Sequence, residues 1–193
     1  MGEVSQKSTR KVRADSIRNR AKLLASATEV FSTGGPEASL EAVARHAGVG
    51  IGTLYRHFPT REALFQAVYS HEVDEMVALA QALEAEPDAI VALRRWMHAC
   101  VRLVATKRGM LAALKPVFDK NGTFFAENSA RTLAAVDRIV TRGVSEGRIR
   151  DDVGAEEVMR AFFSICYGRD APDWQVGALQ LLDIFVDGLT VRA

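Results

Sequence analysis

Cysteine is nearly absent: Cys100 and Cys166 are the only two in 193 residues, and each sits inside an apolar stretch. So sparse a supply argues against a disulfide framework or a zinc cluster and fits a reducing compartment. Long hydrophobic runs are missing as well. The greasiest stretch, Ala161–Tyr167, falls far short of the roughly 18 apolar residues a membrane helix needs, so no membrane partner is expected. The N-terminus, Met-Gly-Glu-Val-Ser-Gln-Lys-Ser-Thr-Arg, places no apolar core behind its positive charges. A secretory signal is therefore not expected, and the cytoplasm is the expected location. Proline (5) and glycine (14) are too few for a fibrous or low-complexity chain. What is present, 48% hydrophobic and 25% charged residues, is the makeup of a folded chain with a sizeable core.

The net charge of +1 hides an asymmetry. Residues 1–62 carry ten basic groups against six acidic ones, whereas the rest of the chain carries 15 against 18. A basic front on an acidic body suits a protein whose front alone meets a polyanion, although a solvated surface with a ragged basic tail has the same balance. Residues 1–14 are expected to be a disordered basic arm, with Lys7–Arg13 free to add non-specific phosphate contacts.

Apolar spacing is helical nearly everywhere, and no stretch alternates with period two, so the fold class expected is all-α with nine helices. The first helix is expected from Asp15 to Phe31, with Ile17, Ala21, Leu24, Thr28 and Phe31 as its inner stripe. Ser39 caps a short second helix, Leu40–His46, and Gly48 is the left-handed residue that closes it. A third short helix, Gly50–His57, stops at Phe58-Pro59. Thr60 caps a long fourth helix. Asp88–Lys107 is the fifth, Gly109–Phe118 a sixth interrupted by Pro116, and Phe124–Glu146 a seventh closed by Gly147. The eighth runs from Gly154 to Tyr167 and the ninth from Asp173 to Leu189. The expected domains are 15–60, a helix-turn-helix head, and 61–193, a helical body.

The turn Ala47-Gly48-Val49-Gly50 joins two short helices at the steep angle that presents the second of them to the DNA major groove. Val49, Leu54 and Phe58 share the face expected to bury against the first helix. Ile51, Thr53, Tyr55, Arg56 and His57 are left outside. Tyr55 and His57 can hydrogen-bond phosphate oxygens, and Arg56 can reach phosphate or guanine. Gly50 and Gly52 cost helix stability, but their missing side chains permit close approach to a duplex.

The stretch from Ser39 to Leu64, and within it Gly52-Thr53-Leu54-Tyr55-Arg56-His57-Phe58-Pro59 followed by Arg61, closely resembles the DNA-binding segment of TetR-family transcriptional regulators. The resemblance spans residues 17–69, over a quarter of the chain. It implies that the residues matching Thr53, Tyr55 and His57 touch DNA, the last two mainly at phosphates. It also places Arg61 where such regulators commonly hold a backbone-gripping lysine. In two places the chain departs from the pattern. Gly50 stands where a serine cap is frequent, and Ile51 stands where a basic or polar residue is frequent; Ile51 suits a thymine methyl. The candidate DNA-contacting set is Ser39, Gly50, Ile51, Thr53, Tyr55, Arg56, His57 and Arg61.

The resemblance further implies a C-terminal domain that dimerises and binds a small effector. The eighth helix is apolar on nearly every side. The ninth carries Ala178, Leu182, Phe185 and Leu189 on one stripe, with Leu181 and Ile184 beside it. Helices greasy all round need cover on all sides, which a second subunit supplies, the alternative being a monomer whose own helices enclose both. Phe162, Ile165, Cys166, Leu182, Phe185 and Leu189 are the interface candidates for a homodimer. Trp96, Met97, Cys100, Phe118 and Phe125 are candidate walls for an apolar or aromatic effector, although each residue type is more often ordinary core than ligand wall.

Catalytic residues, metal ligands and cofactors are not expected. His98 and Cys100 point about 200° apart on one helix, His71 and Glu75 lack a third ligand, and Gly48-x-Gly50-x-Gly52 follows no strand. The function expected is a ligand-responsive repressor that binds a palindromic double-stranded DNA operator and is released by its effector. The alternative is a helical small-ligand-binding protein without sequence-specific DNA binding.

Overall fold

A computed structural model describes residues 3–34, 38–114, 122–168 and 171–191, with side chains for 15–33, 38–108, 122–168 and 171–191. The described residues form eight α-helices: α1 (Glu3–Gly34), α2 (Leu40–His46), α3 (Ile51–His57), α4 (Arg61–Ala82), α5 (Ala89–Leu114), α6 (Gly122–Ser145), α7 (Ala155–Tyr167) and α8 (Trp174–Leu189). A 3₁₀ turn, Leu83–Ala85, follows α4. Among these residues no strand forms, only a single antiparallel bridge between Ile149 and Thr190. The chain divides into two compact units, one of Met1–His71 with Thr106–Val117 and one of Glu72–Ala105 with Phe118–Ala193.

Three helices depart from expectation. α1 begins at Glu3 rather than Asp15, so most of the segment expected as a disordered arm is helical. The reason is that neither Pro nor Gly interrupts the chain between Glu3 and Thr33. Its inner stripe is Leu23, Leu24, Ala27 and Phe31, while Ile17 is 71% exposed and Ala21 faces solvent. The expected fifth and sixth helices are one element up to Leu114. Gly109 alone, at about 1 kcal/mol, does not break a run that continues Met-Leu-Ala-Ala-Leu. The remainder of the expected sixth helix, including Phe118, lies outside the described residues, as does Asn121.

In the first unit, Ser39 Oγ accepts the Ala42 N–H at 3.1 Å and starts α2. The helix ends with Gly48 at φ +67°, Val49 N–H donating to the Ala44 carbonyl at 3.0 Å and Gly48 N–H to Arg45 at 3.2 Å. That crossed pair is a Schellman closure, which needs a left-handed residue at Gly48. A Cβ there meets nothing within 4 Å, so Gly48→Ala is penalised by backbone strain alone. We expect it to lower unfolding free energy by about 1–2 kcal/mol in urea titration. Gly50→Ala, at φ −70° with open space around it, is the matched control and should stay within about 0.5 kcal/mol.

The core of the second unit gathers around α5. Trp96 is fully buried, and its indole N–H donates to the Met76 carbonyl of α4 at 2.9 Å. Arg94 pairs with Asp183 at 2.7 Å and with Asp187, and His98 Nε2 lies 2.8 Å from Asp183, so α5 and α8 are tied along one edge. Arg94 and then His98 hold the Asp183 carboxyl below its ordinary value of 3.8. A depressed carboxylate contributes stability that is present above its unfolded value and is lost as pH falls through the folded one, so this tie weakens in acid. Beyond α6, Gly147 at φ +66° turns the chain, bringing Ile149 against Gly143. A Cβ at Gly143 would fall 2.7 Å from Ile149 Cγ1, so this close approach requires glycine.

Candidate nucleic-acid interface

α3 is seven residues long and is held from one side only. Leu54 is 0% and Phe58 2% exposed, and Phe58 N–H donates back to the Leu54 carbonyl at 2.8 Å, ending the helix before Pro59. Arg20 of α1 lays its guanidinium over the Phe58 ring, 5.3 Å from the centroid. With its inner face pinned this way, the helix has a fixed roll about its axis. Its outer face carries Ile51 (39% exposed), Tyr55 (45%) and Arg56, with Thr53 and His57 half-buried at the flank. The Tyr55 phenol and the Thr53 and His57 donors thus flank the outward Arg56 guanidinium on a helix that has almost no side chains at its start, since Gly50 and Gly52 are both exposed.

Two expected DNA contacts also have structural duties. Ser39 spends its hydroxyl capping α2. Arg61 donates through Nη2 to the Ala38 carbonyl at 2.7 Å, tying the start of α4 to the entry of α2, while its half-buried Nε finds no acceptor among the described residues. Thr60 Oγ1 caps α4 by accepting the Ala63 N–H at 3.1 Å. The Glu62 carboxyl is held below its ordinary range, first by its own backbone N–H and then by Thr60 and Arg61.

Sequence reasoning missed the neighbour of α3. Asp15, Ser16 and Asn19, one turn of α1, face Thr53, Arg56 and His57 across a hollow of about 390 Å³. Their i, i+1, i+4 spacing was the available signal. Further along this unit, burial pushes the Tyr69 phenol up and the Lys107 ammonium down, Lys107 Nζ lying 5.5 Å from the Tyr69 ring.

The candidates of the second unit are placed as follows. Trp96, Met97 and Cys100 are packed in the core, and Phe125 is half-buried. Phe162, Cys166, Leu182 and Leu189, expected at an interface, are buried inside the subunit, because the regular stripe of an amphipathic helix turns toward its own core. Ile165 and Phe185 are half-buried. The apolar side chains that point outward are Phe163 and Tyr167 on α7 and Val176, Leu181 and Ile184 on α8. Among the described residues no group of three or more His, Cys, Asp or Glu is placed to hold a metal ion, and no helix is long and apolar enough to cross a membrane.

A short helix locked by its inner face behind a Gly-closed turn, with phosphate- and base-reaching side chains outward, defines a helix-turn-helix DNA-binding regulator. Comparison with known proteins makes the class specific. Residues 23–68 match the bacterial regulatory proteins of the tetR family, and residues 86–191 match the C-terminal domain of SbtR-like transcriptional regulators. The chain belongs to the TetR family of transcriptional regulators. Its fold is similar to the TetR regulator SCO0520 of Streptomyces coelicolor, at 37% identity and a TM-score of 0.79 over 90% of this chain and 99% of that one. A TetR regulator of Mycobacterium vanbaalenii follows, at 31% identity and a TM-score of 0.73 over 93% of this chain and 99% of that one. Among curated relatives, the HTH-type transcriptional regulator SAR0097 of Staphylococcus aureus is 34% identical over 73 residues, which are 37% of this chain and 38% of that one.

Proposed function

We propose that the protein is a homodimeric repressor that reads a palindromic operator with α3 of each subunit and is released by a small apolar or aromatic effector. The observation that carries the DNA-reading part is the outward display of Tyr55, Ile51 and Arg56 on a helix whose opposite face, Leu54 and Phe58, is sealed. Residues 15–60 act as the reading head and 61–193 as the effector-binding and dimerising body. The body's outward apolar residues, Phe163, Tyr167, Val176, Leu181 and Ile184, support dimerisation, because a second copy removes them from water. Gly177 and Gly188, with open space where a Cβ would stand, fall on the same side of α8 as Leu181 and Ile184 and permit close helix approach. The effector is taken to contact Trp96, Met97, Cys100 and Phe125, with Phe118, outside the described residues, as the remaining candidate. α4 contributes residues to both units and is the natural relay to the head. Two heads must match grooves about 34 Å apart or a multiple of it, so a shift of a few ångströms lowers DNA affinity.

A gel-shift assay with DNA from upstream of the gene tests the reading. Retardation at low salt that weakens steeply as salt rises is expected. Loss of retardation even at low salt favours the helical ligand-binding alternative. Within the head the roles should separate. Tyr55→Phe and His57→Ala are expected to weaken binding to all sequences alike, by about tenfold each. Substitutions at Thr53 or Ile51 should instead alter which sequences are preferred. Binding of each variant to a panel of operator mutants distinguishes the two patterns, and the reverse assignment would overturn these roles.

A further inference from the structure

The hollow between α1 and α3 is not accounted for by the reading helix alone. One wall is Asp15, Ser16 and Asn19; the other is Thr53, Arg56 and His57, three of the proposed DNA contacts. Asp15, the only acid among these six, is engaged by Arg18 on its own helix. Ser16 and Asn19 have no side-chain hydrogen-bond partner among the described residues, and neither have Thr53, Arg56 and His57. Asn19, Thr53 and His57 are half-buried, and all three line the recess together with the exposed Ser16 and Arg56. Hydroxyl, carboxamide, guanidinium and imidazole donors converging from two helices suit the non-bridging oxygens of a phosphodiester.

We propose that this hollow seats a DNA backbone phosphate, with Asn19 and Ser16 of α1 gripping it from the side opposite Arg56 and His57. The inference rests on the DNA-binding reading above and adds a second helix to it. Phosphate gripping carries no sequence information, so the contact fixes the roll of α3 in the groove and contributes equally to every duplex. Its donors on α1 are uncharged, so they release no counterion and leave the salt slope of binding unchanged.

Fluorescence anisotropy with two labelled duplexes of equal length, one from upstream of the gene and one unrelated, tests this. Asn19→Ala combined with Ser16→Ala is expected to weaken both duplexes roughly tenfold with an unchanged salt slope. Asn19→Lys should tighten both and steepen the slope by about 0.9. Ala25→Lys adds the same charge at an exposed position of α1 pointing away from the hollow and should do neither to the same extent. Thermal melts establish that each variant is folded; should the double alanine variant melt early, Asn19→Lys against Ala25→Lys carries the decision. If the native chain binds both duplexes and the hollow variants match it, or if Ala25→Lys equals Asn19→Lys, the phosphate seat is wrong and the DNA-binding reading stands. If the native chain binds neither duplex at low salt, the DNA-binding reading falls and the seat with it.

Discussion

A chain carrying Leu181→Glu and Ile184→Glu is expected to fold normally, run as a single subunit and lose its operator. Both side chains are already exposed in the subunit, at 52% and 68%, so charge there costs little within one copy. In a dimer closed over α7 and α8 the same carboxylates would be desolvated without partners, at several kcal/mol each, and symmetry doubles the penalty. Light scattering should show the subunit mass, with an unfolding midpoint close to native. Operator affinity should drop by about 10²–10⁴, because two tethered heads bind with an effective concentration that separate heads lack. A double variant that remains dimeric would move the interface away from this face.

Trp96→Ala is expected to produce the largest stability loss, about 3–5 kcal/mol, by opening a buried cavity and removing the indole hydrogen bond. The side chain is wholly inside the second unit, and the Met76 carbonyl that accepts its N–H at 2.9 Å is on the neighbouring helix. Trp96→Phe keeps most of the ring volume and removes only the donor, so its cost should be smaller, about 1–3 kcal/mol. Urea unfolding of the two variants separates packing from hydrogen bonding. Near-equal losses would mean that the bond to Met76 dominates.

The reading head was legible because its boundaries are written in residues with strong local preferences. Ser39 caps α2, Gly48 is left-handed and ends it, and Pro59 stops α3, so the structure has them nearly residue for residue as expected. Boundaries that depend on missing punctuation were less legible. Nothing between Asp15 and Glu3 says where α1 should begin, and Gly109 is a weak break that a strongly helical run overrides. Nor does periodicity alone say which apolar face is inside. On α8 the regular stripe, Ala178, Leu182 and Leu189, serves the subunit's own core, whereas Leu181 and Ile184 beside it look outward. The hollow between α1 and α3 was only half legible: the spacing of Asp15, Ser16 and Asn19 marks one polar wall, but two helices separated in sequence by a turn and α2 bring their polar faces together only in three dimensions.

The measurement that bears most directly on the whole account is a hydroxyl-radical footprint of the native protein on DNA from upstream of its gene. One dimer presenting two copies of α3 should protect two backbone patches centred in successive major grooves, about 34 Å or a multiple of it apart, with Arg56→Ala fading both equally. Protection of a single patch, or a pattern that survives Arg56→Ala and Tyr55→Ala together, would contradict it.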